Sequence, residues 1–204
     1  MTEKDYADVL KVIDRWISYQ AFFNRIPAVS LGIVSKDNVL LTRHYGYANQ
    51  NKKIPLSDNS LYRIASISKT FTATAIFQLI ENKKLSLNDP IKKYLPWIKS
   101  KNKVTIKHLL THSSKVVRDG DTAHWLDEPF PDMEELHYSF SPEWFVRAPE
   151  KKFKYTNLGF ALLGEIIAHV SGMSYDEYIK KYILKPLKMN DTLTDYDFSR
   201  NLVT

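Results

Sequence analysis

Two short stretches hold residue types that can do covalent chemistry. Ser66-Ile67-Ser68-Lys69 sets a hydroxyl and an amine three residues apart, which on a helix brings both to one face. A serine hydroxyl becomes a nucleophile only when a base takes its proton, and a lysine can be that base if burial lowers its pKa. At a helix start the serine's own N–H can also donate to a developing oxyanion. The plainer reading makes Ser66 an N-cap and Lys69 a solvated charge. The second stretch, Tyr155-Thr156-Asn157, supplies a phenol that, coupled to a lysine, can carry the serine's proton to a leaving group. Its pKa, ordinarily about 10, must fall for that, and a neighbouring ammonium would lower it. The Asn157 amide can orient Lys69 and a substrate carbonyl.

Both patterns occur twice. Ser100-Lys101-Asn102-Lys103 repeats the first spacing inside a Lys-rich connector with no apolar helix after it, so its side chains are expected in solvent. Tyr47-Ala48-Asn49 repeats the second at the end of an apolar run, where a strand aromatic and a turn asparagine are the expected roles. His108 and His112 are four residues apart and could chelate zinc from one helix face. Leu109 stands where a metalloprotease motif carries glutamate, so packing at a helix end is the expected role. No metal and no cofactor are assigned.

The elements that must position these residues follow from periodicity. Val9, Ile13, Trp16 and Ile17 within 3–24 predict an opening amphipathic helix. Ala28 to Val34, a turn near Lys36-Asp37-Asn38, and Val39 to Tyr47 predict a β-hairpin. Two such strands are marginal in water, and the pair leaves two edges open. After Pro55, Leu61 to Ile64 is a short extended segment. A helix then begins at Ser66 and ends at Asn82-Lys83-Lys84. Thr105 caps a short helix through His112. Asn157 to Val170, with Leu158, Leu162, Ile166 and Val170 on one stripe, predicts a helix that Gly172 stops. Ser174 and Glu177 form a capping box for a further helix, which Pro186 ends. Residues 113–150 are expected to be a long loop rich in aromatic residues (Trp125, Phe130, Phe140, Trp144, Phe145), of the kind that lines a site.

Composition narrows the class. The chain has 204 residues, 44% of them hydrophobic, and no cysteine. That supports a real core and excludes disulfide frameworks, thiol nucleophiles and thiolate metal sites. The net charge of +6 is unevenly placed. Ten Lys or Arg and one acid lie between 83 and 118, and eight acids with no Lys or Arg lie between 119 and 145. Such blocks cancel at close range, and no nucleic-acid module accompanies them. No nucleic-acid partner is expected. No run reaches the roughly 18 apolar residues of a membrane span. Asp5, Asp8, Lys11, Asp14 and Arg15 interrupt any secretion signal in the first 30 residues. A cytoplasmic protein without membrane contact is the expectation.

With these residues in hand, a resemblance emerges. Tyr62 to Ala73, around Ser66-Ile67-Ser68-Lys69, resembles the nucleophile segment of the β-lactamase-related serine hydrolases. That family includes class C β-lactamases, D-alanyl-D-alanine carboxypeptidases, penicillin-binding-protein-like proteins and related esterases. Ile26 to Val34, Lys84 to Pro90, His108 to Ser114, Tyr155 to Gly164 and Leu184 to Met189 resemble it in the same order. The resemblance implies an α+β, β-lactamase/transpeptidase-like fold. The opening helix and hairpin would belong to an antiparallel sheet, beside a helical part. It implies one domain over 1–204, with the helix and hairpin in 1–64 and the mostly helical part in 65–204. It also implies Ser66 as acylated nucleophile, Lys69 as its base partner, Tyr155 as second proton-transfer residue and Asn157 in substrate binding. The substrate would be a small-molecule ester or amide: a β-lactam, a D-Ala-D-Ala peptide or a carboxylic ester.

Departures from the family pattern qualify this. The family's third motif, a basic residue or His, any residue, then Gly, lies on a late strand. Here it has only an early match, His44-Tyr45-Gly46, in the hairpin. The late strands of the sheet have no counterpart, and 204 residues correspond to the first half to two-thirds of such a hydrolase. Lys115 follows Ser114 and Glu150 follows Pro149 where glycines are typical. The competing expectation is therefore an inactive, truncated relative or a binding module. Such a chain would need a complementing C-terminal segment or self-association through sheet edges.

Overall fold

The computed structural model describes residues 3–120, 133–145, 149, 152–195, 200 and 203. The chain divides into two compact units, Met1–Ile64 with Asp195–Thr204, and Ala65–Thr194. The fold is α+β, with helices and a small antiparallel sheet of three strands. Trp125, Phe130 and Glu150 lie outside the described residues.

In the first unit, helix α1 (Glu3–Phe23) precedes strands β1 (Ala28–Ser35), β2 (Asn38–Asn49) and β3 (Ile54–Pro55), ordered β1-β2-β3. The hairpin forms where the β-branched and aromatic runs predict it. Its partner β3 was not expected: two residues, one a proline, give no alternation to read, yet they pair with Tyr47 and Asn49. One of the two expected open edges is thereby partly covered. The helix also differs from expectation. Ile13 and Ile17 are half-buried, whereas Val9 and Trp16 join Val12, Tyr19 and Phe23 in an exposed stripe. Asp14 ties α1 to β2, accepting from Arg43 Nε at 3.3 Å and from the Tyr45 hydroxyl. Gly46 has φ +88, and a Cβ there would meet the Pro27 carbonyl oxygen at 2.1 Å, so only glycine fits. His44 links Ser30 Oγ (2.9 Å) with Asp58 (3.0 Å), and Ser30 Oγ also meets the Tyr62 hydroxyl at 2.9 Å. The early His-x-Gly match is thus part of the hairpin's own bonding. Asn49 Oδ1 accepts the Lys52 N–H at 2.9 Å, the expected turn role.

The second unit is built on helix α5 (Leu158–Ser171), which buries Leu158, Leu162, Leu163, Ile166 and Ile167. Helix α2 (Ser68–Glu81) packs on it with Ala75, Ile76 and Leu79. Each such Leu or Ile side chain contributes about 1.5–3 kcal/mol of transfer free energy when fully buried. Gly172, at φ 71, closes α5 in the left-handed conformation. Helix α3 (Ile106–Leu110) starts at a Thr105 capping box closed by His108 and stops two residues before the expected end. The 113–150 stretch is not all loop. It contains helix α4 (Met133–Ser139), too polar to show a stripe, and a 3₁₀ turn at Pro142–Trp144. Within it Phe140 packs against both Trp144 and Phe145. Helix α6 (Tyr175–Ile179) begins at the Ser174–Glu177 capping box and runs on into a π-helical turn, Lys180–Leu184, just before Pro186.

Ser100 corrects another expectation. Its residue is buried, its Oγ accepts the Asn102 N–H at 3.1 Å, and its carbonyl accepts from Lys92. The second Ser-x-x-Lys copy is therefore a packed connector, and only its lysines reach solvent.

Candidate active site

Ser66 sits in a 3₁₀ turn, Ala65–Ile67, directly ahead of α2. Ala65 has φ 44, a left-handed conformation that non-glycine residues rarely adopt and that often marks a functional turn. The α-helix itself starts two residues later than expected, with Ile67 at its N-cap and no side-chain cap bond there. Ser66 therefore does not cap α2. Its Oγ lies 2.6 Å from the Tyr155 hydroxyl. Lys69, one turn on and half-buried, points its Nζ to within 3.5 Å of Ser66 Oγ and donates to Asn157 Oδ1 at 2.6 Å. Asn157 Nδ2 in turn donates to Asp119 Oδ1 at 2.6 Å. The four residues singled out from the sequence converge, and Asp119 joins them.

The backbone around Tyr155 is pinned by local chemistry. Thr156 is fully buried. Its hydroxyl donates to the Val117 carbonyl at 2.7 Å and accepts the Gly159 N–H at 2.9 Å. The Asn157 and Leu158 N–H groups both donate to the Arg118 carbonyl, at 2.8 and 3.0 Å. These bonds satisfy the orphan donors at the start of α5 and free the Asn157 side chain to face Lys69.

Cations surround the phenol. Lys69 Nζ is 4.8 Å from the Tyr155 ring centre and the Arg118 guanidinium 5.8 Å. Burial pushes the Tyr155 hydroxyl up. The Lys69 and Ser66 hydrogen bonds and the Lys69 and Arg118 charges outweigh it, and the net shift is below the ordinary tyrosine value. Both histidines accept backbone bonds: His108 Nδ1 accepts the Thr105 N–H at 3.2 Å and His112 Nδ1 the Thr156 N–H at 3.1 Å. Among the described residues no three metal-ligating side chains converge.

A family model described as Beta-lactamase matches residues 13–199. The chain belongs to the beta-lactamase family. Among its beta-lactamase-family relatives is Protein flp of Staphylococcus aureus (strain MW2), 32% identical over 91% of this chain and 38% of that protein. Penicillin-binding protein 4* of Bacillus subtilis (strain 168) is 36% identical over 76% of this chain and 35% of its own length. Among solved structures, the octameric penicillin-binding protein homologue from Pyrococcus abyssi superposes with a TM-score of 0.79 at 37% identity. It covers 89% of this chain and 43% of that one. The chain thus spans less than half the length of these beta-lactamase-family relatives.

Neither Asp119 nor Arg118 was expected at the site, and His112, expected only to pack at a helix end, also meets the Tyr155 segment. Asp119 opens the acidic block but carries no motif of its own. Its only signal was the need of the Asn157 amide for an acceptor once its oxygen faces a lysine.

Proposed function

We propose that the chain is a serine hydrolase that opens an ester or amide through an acyl-serine at Ser66. The observation that carries this reading is the 2.6 Å contact between Ser66 Oγ and the Tyr155 hydroxyl, beside the Lys69–Asn157 bond. The Ser66 proton passes to the Tyr155 oxygen as Oγ bonds to the carbonyl carbon. The Lys69 charge favours the phenolate that accepts it. The Ser66 N–H lies in the 3₁₀ turn directly ahead of α2 and can donate to the oxyanion. Collapse of the tetrahedral adduct breaks the carbonyl C–N or C–O bond, and Tyr155 returns its proton to the departing nitrogen or oxygen. Water then attacks the Ser66 ester by the reverse proton path and releases the acid. Asn157, fixed between Lys69 and Asp119, holds the lysine and meets the substrate.

Two relatives carry the name penicillin-binding protein, so a fluorescent penicillin is the first probe, with a fluorophosphonate as the general one. Stoichiometric labelling that disappears in Ser66→Ala supports the hydrolase. An unlabelled chain that still unfolds cooperatively overturns it and favours a non-catalytic binding module.

A further inference from the structure

We propose that His112 is a positioning residue for Tyr155, holding the phenol against Ser66 only while the imidazole is neutral. The inference rests on the reading of Tyr155 as the proton carrier. His112 grips both neighbours of that tyrosine. Its carbonyl accepts the Lys154 N–H at 2.6 Å, and its Nδ1 accepts the Thr156 N–H at 3.1 Å. Its ring also lies along the Tyr155 ring, with centres 4.6 Å apart and planes at 28°. An amide N–H can only donate, so Nδ1 must be unprotonated and the ring proton sits on Nε2.

The surroundings oppose a charge on this ring. Phe153 and Phe160 pack against it at 5.3 and 5.1 Å. Lys69, on α2, stands over both the Tyr155 and Phe160 rings, and Arg118 is near the Tyr155 ring. Burial, with the Lys69 charge, holds His112 below the ordinary histidine value. Its backbone is left-handed at φ 53, a conformation that persists where surrounding contacts over-determine it. Protonation would set an N–H at Nδ1 against the Thr156 N–H and add a cation beside Lys69. Both effects push the 154–156 segment away from Ser66.

The sign follows from the geometry. The ring is neutral above its pKa, so the Tyr155–Ser66 contact is intact at neutral pH and is lost as pH falls through the His112 titration. That step lies below the ordinary histidine value of about 6.5.

The test uses the full chain carrying [13Cζ]tyrosine, together with ring-15N histidine spectra and penicillin labelling. Wild type is compared with His112→Asn and His112→Phe, and thermal unfolding reports on folding. Asparagine offers an amide oxygen to the Thr156 N–H but does not titrate, whereas phenylalanine keeps the stack and loses the acceptor. The expected spectra show Nδ1 unprotonated at neutral pH and a Tyr155 inflection that tracks the His112 titration and vanishes in His112→Asn. The Phe variant should lose between about tenfold and a hundredfold in acylation rate at saturating probe, as for a misplaced catalytic group. The Asn variant should recover most of that loss with a flatter acid limb. A proton on Nδ1 at neutral pH, or a Tyr155 signal indifferent to His112, overturns the proposal. So do Phe and Asn variants with equal rates and pH profiles. If Ser66 takes no probe even in wild type, the hydrolase reading fails while the two NMR readouts still decide the role of His112.

Discussion

At Ser66 the nearer proton acceptor is Tyr155, 2.6 Å away, whereas Lys69 stands at 3.5 Å and spends its short bond on Asn157. That ordering predicts how acylation depends on pH. The rate should rise along a limb set by Tyr155 and lying below the ordinary tyrosine value of about 10. Lys69→Met should slow labelling and also move that limb upward, because Lys69 helps to hold the phenol down against burial. Stopped-flow labelling across pH reads both effects, and a limb that stays in place would disprove tuning by Lys69. Tyr155→Phe, which removes the proton carrier, should cost about 10²–10⁴-fold in the same assay. Backbone strain predicts a gain elsewhere. Lys115 occupies φ 60, where the family resemblance leads one to expect glycine. A side chain there costs about 1–2 kcal/mol, so Lys115→Gly should raise unfolding stability by about 1 kcal/mol in a urea titration.

The start of α5 is where an element and the site depend on each other. A Cβ on Gly159 would meet Thr156 Cγ2 at 2.7 Å, and Thr156 is fully buried between Tyr155 and Asn157. Gly159→Ala should therefore destabilise by about 1–3 kcal/mol and slow Ser66 labelling as well. An unchanged melting temperature would show that the turn yields freely. In the other unit, burial and the Asp14 hydrogen bond push Tyr45 up to about 12. A group whose folded pKa is raised stabilises below its unfolded value, about 10 here, and loses that contribution as pH climbs through the folded one. Between pH 10 and 12 the α1–β2 tie should weaken, and Tyr45→Phe should remove that alkaline loss in a far-UV CD titration. Legibility followed locality. Helix α5, Gly172 and the Ser174–Glu177 box are short-range patterns, and each formed where the spacing places it. Strand β3 has two residues and a proline, and α4 lacks an apolar stripe, so neither had a period to find. Asp119 and His112 reach the site across 38 and 44 residues of chain, a pairing that no local motif encodes.

Among the described residues, the inner faces of α5 and α2 belong to the buried core of the second unit, together with much of 85–116, while α1 leaves Val9, Val12, Trp16, Tyr19 and Phe23 exposed. Hydrogen exchange should therefore run in order, with the amides of α1 exchanging well before those at the centre of α5. Equal protection in the two helices would contradict that burial map. Resemblance made the family readable because its motifs are strung in order along the chain. Asp195–Thr204 groups with the first unit, where the Val203 N–H donates to the Leu61 carbonyl at 2.9 Å. The left-handed turns have a consequence of another kind. Arg25, Lys36, Lys53, Lys83 and Lys188 all have positive φ and are exposed. They fall after α1, between β1 and β2, before β3, after α2 and after the π-helical turn. With few glycines to spend, the chain bends at basic residues instead, and protruding turns are where proteases bite. Its joints therefore coincide with trypsin's cleavage chemistry, and a brief digestion should release the molecule's secondary-structure elements nearly whole, as if cut along the folds.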